Sequence, residues 1–202
     1  MPIKGKKEKY KLKGKNLEIA EKMLHDVTTI FEKHGIRYWL DFGTLLGIVR
    51  EGRILPWDDD MDISIFEEDR QKVYDIVLPE IKKLNYRTYS RYHNINDDIL
   101  KNGDFRAFRV RNYRWKFFRG YVKIDIFVMY KNKEHYYWYE YGNKHRLPCS
   151  ILNEFDKIEF KGKMYNIPKD YDKYLSYHYG DWREPLPDYN SEVDGLKTAV
   201  KD

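Results

Sequence analysis

Two aspartates stand two positions apart in a segment with the alternation of a β-strand. Asp60 and Asp62 are separated by Met61, and Ile63 and Ile65 continue the apolar set. In an extended strand the two carboxylates lie on one face, with their Cα atoms about 6.6 Å apart. Carboxylates this close repel each other unless a cation lies between them. The spacing therefore indicates a Mg²⁺ or Mn²⁺ site, since these ions take oxygen ligands. The alternative interpretation is an acidic turn that ends a loop.

A third acid, Asp125, interrupts a strongly apolar segment. Its neighbours on the opposite strand face are apolar: Val122, Ile124, Ile126 and Val128. A charged side chain in such a strand needs a partner. One interpretation is a third ligand on a metal shared with Asp60 and Asp62, on a neighbouring strand. The other is a carboxylate paired with an arginine or lying on an exposed strand face.

A turn of small residues precedes the acidic segment. Gly43 and Thr44 lead into an apolar stretch that could begin a short helix. Glycine lets backbone N–H groups approach an anion closely, and a helix N-terminus attracts negative charge. Arg50 and Arg53 follow, either as phosphate-binding groups or as surface arginines. We predict phosphate contacts at Gly43 and Thr44.

A second concentration of charge lies at residues 101–123, where eight Lys and Arg side chains accompany one acid and seven aromatic residues. Alternation such as Phe108, Arg109, Val110, Arg111 is typical of a half-buried strand. Three interpretations follow: a strand with one wet face, a wall that contacts phosphate through Arg109 and Arg111, or a nucleic-acid surface.

The periodicity around these residues predicts a mixed α+β domain with one sheet flanked by helices. Helices are predicted at residues 16–34, in a short segment after Gly43, and through 73–84 with a kink or boundary at Pro79. A C-terminal helix is predicted to open at Pro168 and end at Gly180. Strands are predicted at residues 36–41, 60–66, 87–93, 105–111 and 121–130.

Composition limits the class of protein. The chain has 202 residues, 42% of them hydrophobic, which suits one globular domain. Cys149 is the single cysteine, so neither an internal disulfide nor a Cys-rich zinc site is expected. No apolar run is long enough to span a bilayer, and no apolar region follows the N-terminal charges as in a secretory signal. We therefore expect a cytoplasmic protein.

Residues 1–15 contain seven lysines and one acid. We interpret them as a basic, flexible tail ahead of a single catalytic domain at residues 16–202. The alternative is attraction to an anionic surface such as the inner face of the membrane.

Several segments resemble the LicD/fukutin family of the nucleotidyltransferase superfold. Residues 38–50 read YWLDFGTLLGIVR and residues 54–63 read ILPWDDDMDI. Residues 123–127 (KIDIF) are similar to a later acidic strand of the family, and residues 167–171 (IPKDY) and 179–182 (YGDW) to its C-terminal block. The resemblance covers roughly residues 17–187.

This resemblance implies a nucleotidyltransferase-like mixed sheet and a phosphotransferase activity. The enzyme would transfer phosphocholine, ribitol phosphate or a similar group from a CDP-activated donor to a hydroxyl of a glycan or lipid-linked glycan, releasing CMP. Mg²⁺ or Mn²⁺ would be held by Asp60, Asp62 and Asp125, with Asp125 alternatively taking the acceptor's proton. Phosphates would contact Gly43, Thr44 and one or more of Arg50, Arg109 and Arg111.

Two other functions compete with this expectation. The same superfold can transfer the nucleotide itself, which would release pyrophosphate. A non-catalytic protein would use residues 101–123 to bind RNA.

Overall fold

A seven-stranded mixed sheet organises the computed structural model, which describes residues 8–115, 117–184 and 198–200. Five strands follow the order β1-β2-β5-β4-β3, with β6 and β7 continuing from β5. The strands are β1 Tyr38–Leu40, β2 Met61–Phe66, β3 Tyr86–Tyr92, β4 Phe105–Arg114, β5 Phe118–Lys131, β6 His135–Glu140 and β7 Asn143–Pro148. A separate hairpin comprises β8 Phe155–Phe160 and β9 Lys163–Pro168, with β9 beside β1. The helices are α1 Lys15–Lys33, α2 Phe42–Glu51, α3 Arg70–Lys72, α4 Leu78–Lys83 and α5 Tyr171–Tyr179.

The central strand β5 pairs in parallel with β2 and antiparallel with β4. In this register Asp125 lies opposite Asp62 on one side and opposite Arg109 on the other. Strand neighbours that face each other carry their side chains to the same face of the sheet. The topology therefore places two acids and one arginine side by side, and the predicted α+β mixed sheet is confirmed.

The opposite face of these strands is a dry core. Its side chains are fully buried: Met61, Ile63, Ile65, Phe108, Val110, Val122, Ile124, Ile126 and Val128. Helix α1 adds buried residues at three- and four-residue steps (Ala20, Met23, Leu24, Val27, Ile30 and Phe31) and contacts β5. This spacing produces one apolar stripe on the helix. Because the core takes alternate residues, the intervening positions of β2, β4 and β5 are left to carry polar groups.

Most predicted elements are present, with ends shifted by a few residues, but the predicted start of the last helix is wrong. Pro168 is the final residue of β9 and faces Phe155 across the ladder. Helix α5 begins at Tyr171, where the Asp170 carboxylate accepts a hydrogen bond from the N–H of Lys173. An aspartate cap satisfies a free helix N–H directly, so it defines this start better than the proline does.

Pro79 lies just beyond a change in helix type. A π turn at Val73–Val77 joins α3 to α4, and Pro79 occupies the first turn of α4. Proline lacks the N–H of an ordinary helical bond, and π turns absorb such interruptions within a continuous helix. The predicted boundary thus takes the form of a local change in hydrogen bonding.

The N-terminal segment is packed where the structure describes it. The flexible tail is predicted at residues 1–15, and its residues 1–7 lie outside the described part, so for them it stays a prediction. Leu12 is fully buried, and its N–H donates to the carbonyl of Asp58 at 2.9 Å. Residues 8–15 therefore contact the domain, beside its acidic segment. Among the described residues no helix is both long and apolar enough to cross a membrane.

Candidate active site

Three carboxylates meet where the acidic loop enters the sheet. Asp60, Asp62 and Asp125 each offer one oxygen, and these oxygens lie within 4.8 Å of one another. Asp62 and Asp125 are brought together by the parallel pairing of β2 with β5, and Asp60 immediately precedes β2. The structure thus places the three predicted metal ligands in one cluster, which we call the acidic cluster.

Two cations contact the acidic cluster from neighbouring positions. Arg109 of β4 binds both oxygens of Asp125, with its Nε 2.5 Å from Oδ1. Lys123 of β5 contacts the Asp60 carboxylate, and its Nζ is 3.7 Å from Asp59. The structure therefore pairs Asp125 with an arginine and also places it beside two other acids. Its predicted role as a metal ligand stays a prediction.

The charged form of Asp62 is destabilised by its surroundings in the acidic cluster. Withdrawal from water raises the pKa of Asp62 well above its ordinary value, and the negative charges of Asp60, Asp58 and Asp125 raise it further. A divalent cation would stabilise the charged form against both effects. The donors are all carboxylate oxygens, which fit Mg²⁺ or Mn²⁺.

The N-terminus of α2 packs against the acidic segment. A side chain at Gly43 would place its Cβ 2.5 Å from Oδ2 of Asp58, so only glycine permits this approach without a shift. Thr44 is buried, and its hydroxyl accepts a hydrogen bond from the N–H of Asp62 at 2.8 Å. Both residues therefore shape the loop that presents Asp58 and Asp62. Their predicted contact with phosphate stays a prediction.

A fourth aspartate, Asp41, holds α2 in place. Its Oδ1 accepts from the Phe42 N–H and the Tyr174 hydroxyl, each at 2.7 Å, and its Oδ2 accepts from Ser64. Burial raises the pKa of Asp41 to about 6, while these hydrogen bonds act in the opposite direction. Asp41 thus joins α2, β2 and α5 through one carboxylate.

The three arginines predicted to bind phosphate occupy different places. Arg109 lies in the acidic cluster, as described above. Arg111 is buried and donates to the Gly120 carbonyl at 3.0 Å. Arg50 lies at the other end of α2, about 10 Å from Gly43 by helix rise, and donates to the Trp182 carbonyl and to Glu51. Only Arg109 joins the three aspartates directly.

Two charged residues near the acidic cluster escaped the sequence analysis. Burial raises the pKa of Glu140, at the end of β6, to about 8, and the charge of Asp60 adds to the shift. Arg91 of β3 has a lowered pKa because of burial and the nearby charge of Arg109. Strand order and register bring both residues close to the acidic cluster, and no local motif in their segments indicates this position.

A protein-family model matches most of the chain. The model described as LicD/FKTN/FKRP, nucleotidyltransferase domain, matches residues 35–170. The match includes the acidic cluster, the N-terminus of α2 and all of β2–β9.

Three curated relatives illustrate the range of similarity. An uncharacterized protein of Rickettsia prowazekii is 31% identical over 87% of this chain and 59% of its own length. The ribitol 5-phosphate transferase FKRP of Mus musculus is 25% identical over 81% of this chain and 31% of its length. The lipopolysaccharide cholinephosphotransferase LicD of Haemophilus influenzae is 37% identical over 24% of this chain and 18% of its length. The chain thus spans less than two thirds of the length of these relatives.

Among solved structures, the crystal structure of ANT(2")-Ia in complex with adenylyl-2"-tobramycin covers 87% of this chain and 86% of its own, with 16% identity and a TM-score of 0.47. The family match itself covers more than half of the residues and includes the whole acidic cluster. The chain therefore belongs to the LicD/FKTN/FKRP family.

Proposed function

We propose that this protein transfers a phospho-alcohol, such as phosphocholine or ribitol phosphate, from a CDP-activated donor to a glycan hydroxyl and releases CMP. The observation that carries the proposal is the acidic cluster, whose three carboxylate oxygens lie within 4.8 Å of one another. Support comes from relatives named as ribitol 5-phosphate transferases and as a cholinephosphotransferase.

In this proposal Asp60, Asp62 and Asp125 hold Mg²⁺ or Mn²⁺. The bound ion supplies charge stabilisation at the attacked phosphorus and at the leaving CMP. The chain's own residues set the geometry: Thr44 fixes the backbone of Asp62, and Arg109 fixes the carboxylate of Asp125.

The transfer itself exchanges one phosphorus–oxygen bond for another. The acceptor hydroxyl oxygen bonds to the phosphorus of the phospho-alcohol, the bond from that phosphorus to CMP breaks, and the hydroxyl proton passes to a carboxylate. Asp125 has one of two roles in this proposal: it ligates the ion with Asp60 and Asp62, or it takes this proton while those two residues hold the ion. Arg109 orients its carboxylate in either role. Arg109, which borders the acidic cluster, provides positive charge beside the donor phosphates.

The acceptor is a glycan or lipid-linked glycan in this proposal. Work on a lipid-linked acceptor would place the protein in the cytoplasm, peripheral at the inner face of the membrane. The seven lysines of residues 1–15 would favour contact with anionic lipid there.

The test is a panel of CDP-choline, CDP-ribitol and CDP-glycerol, with CMP release measured with and without Mg²⁺ or Mn²⁺. We expect one donor to be consumed only when metal is present and Asp60→Asn to abolish turnover. The matched control is Asp75→Asn, an exposed aspartate on the π turn before α4. Undiminished turnover by folded Asp60→Asn protein would contradict the mechanism.

A second candidate follows from the description of the family model, which names a nucleotidyltransferase domain. Such an enzyme would attach the nucleotide to the acceptor and release pyrophosphate. The same panel, extended to plain nucleoside triphosphates, separates the two functions by product: CMP supports phospho-alcohol transfer, and pyrophosphate supports nucleotide transfer.

A further inference from the structure

The hairpin between β4 and β5 exposes three large aromatic side chains at its tip. The exposed fractions of Trp115, Phe117 and Phe118 are 81%, 80% and 62%. They stand together within four positions of one turn. Exposed aromatic groups concentrated in this way mark an interaction surface, whereas single exposed apolar residues are ordinary. We call Trp115, Phe117 and Phe118 the aromatic tip.

Positive charge surrounds the aromatic tip. Arg114 and Arg119 flank it and are exposed, and Arg114 lies over the ring of Tyr121 with its guanidinium carbon 4.9 Å from the ring centre. The N-terminal segment runs alongside, because Tyr10 packs edge-on against Tyr121 at 5.4 Å. Lys9 lies over the same ring at 5.6 Å. Cations from two separate segments therefore meet over the ring of Tyr121, three residues beyond Phe118.

We propose that the aromatic tip, with Lys9 beside it, is a docking surface for an anionic lipid bilayer. Aromatic rings favour the boundary between headgroups and acyl chains, where the apolar part of the ring leaves water. Cations near an anionic leaflet add about 1 kcal/mol each. The combination at one protruding turn matches both requirements.

An RNA partner fits this surface less well. Extended single strands need a continuous groove lined by cations and aromatic faces. Along the body of the hairpin, however, Arg109 binds Asp125, Arg111 binds the Gly120 carbonyl and Lys123 binds Asp60. These three cations serve contacts inside the protein, and the exposed charge is concentrated near the tip.

The docking surface and the acidic cluster share one strand. Phe118 begins β5 and Asp125 lies seven residues further, so strand rise separates them by about 23 Å. A bilayer held at the tip would lie at about this distance from the acidic cluster. Docking is measured as binding to vesicles, without any turnover, so its test does not depend on the proposed transfer reaction.

The experiment compares the full chain on vesicles of phosphatidylcholine alone and of phosphatidylcholine with phosphatidylserine. We expect binding to the anionic vesicles, reduced about tenfold or more by the combined Trp115→Ser, Phe117→Ser and Phe118→Ser variant, because the burial of even one ring contributes about that factor. The matched control is Ile76→Ser with Leu84→Ser, which removes two other exposed apolar side chains. Equal loss in both variants, or no loss in the first, would overturn the proposal.

Three further readouts identify the contact. Brominated lipid should quench tryptophan fluorescence, and Trp115→Phe should remove most of this quenching while retaining binding. Arg119→Glu should lower binding to the anionic vesicles more than binding to neutral ones. If the serine variant instead loses RNA binding and keeps vesicle binding, the surface serves nucleic acid and the proposal is wrong. CMP release with a soluble acceptor should be unchanged in the serine variant, which separates failure of docking from failure of the proposed function.

Discussion

Asp41 and Asp62 are adjacent aspartates in very different environments. The N–H of Asp41 donates to the carbonyl of Asp62 at 3.1 Å, so their backbones are neighbours. The carboxylate of Asp41 is fully buried and receives three hydrogen bonds from Phe42, Tyr174 and Ser64. The carboxylate of Asp62 instead lies among other acids, which raise its pKa in addition to burial.

The difference separates an acid that is held by hydrogen bonds from one that lies among like charges. Hydrogen bonds within the protein compensate the burial of Asp41, so its pKa rises only to about 6. The negative neighbours of Asp62 work against its charged form, and a cation would relieve this repulsion. Groups held in such an unfavourable state are candidates for catalysis. Four experiments can break or sharpen this contrast.

The largest effect is expected on activity. Asp62→Asn should lower CMP release by about a thousandfold, because one charged ligand of the proposed metal is lost. The thermal unfolding temperature should stay the same or rise, since repulsion from Asp60 and Asp125 is removed. Steady-state kinetics and calorimetry on the same preparation measure both quantities. If the Asp62→Asn protein were active, or if it were unfolded, the contrast between Asp62 and Asp41 would be wrong.

Asp41→Ala should act mainly on stability. The substitution removes the cap of α2 and leaves the hydroxyls of Tyr174 and Ser64 without their acceptor. We expect a loss of about 3 kcal/mol in the free energy of unfolding, measured with urea. Asp75→Ala, at an exposed position, provides the control. A loss below about 0.5 kcal/mol would show that Asp41 does not hold α2, since surface substitutions have effects of that size.

The pH dependence of stability should report Asp41 itself. Its folded pKa of about 6 lies above the ordinary 3.8, so the folded state binds the proton more tightly. The stability from this protonation is complete below pH 3.8 and is lost as pH rises through about 6. Relative to Asp41→Asn, the wild type should lose up to about 3 kcal/mol across this interval. The measurement is the free energy of unfolding in urea at a series of pH values. The same pH dependence in the two proteins would contradict the assignment.

A divalent metal ion should stabilise the Asp41→Asn variant and should not stabilise the Asp62→Asn variant. At a concentration about one hundred times the Kd, Mg²⁺ or Mn²⁺ should add about 2.7 kcal/mol to the stability of the wild type. Asp41→Asn should retain this gain, and Asp62→Asn should lose it. Thermal unfolding with and without EDTA provides the measurement, and an equal gain in both variants would place the metal elsewhere.

The sequence predicts the local parts of this contrast well. Alternation around Asp60 and Asp62 predicts β2, and the lone acid in an apolar segment predicts β5. The partner of Asp125 is less accessible, because the pairing of Arg109 with it depends on β4 lying next to β5. Glu140 and Arg91 come from strands whose neighbours are set by the whole sheet, so no short-range pattern indicates them.

Strands β6–β9 also escaped prediction, and for β8 the reason is different. Much of β8 is solvent-exposed, so it lacks the apolar alternation on which strand prediction depends. Its turn is nevertheless marked by Lys161 and Gly162, both with positive φ, and Tyr141 and Gly142 mark the turn between β6 and β7 in the same way. Turn residues of this kind indicate hairpins even where the strands themselves are polar.

The parallel pairing of β2 with β5 also determines when the acidic cluster can exist. Asp62 and Asp125 face each other although sixty-three positions separate them along the chain. Contacts between such distant residues form slowly, because a long loop must close first. The acidic cluster should therefore assemble late in folding, and a nascent chain would acquire its full set of carboxylates only after β5 has been synthesised and has joined the sheet.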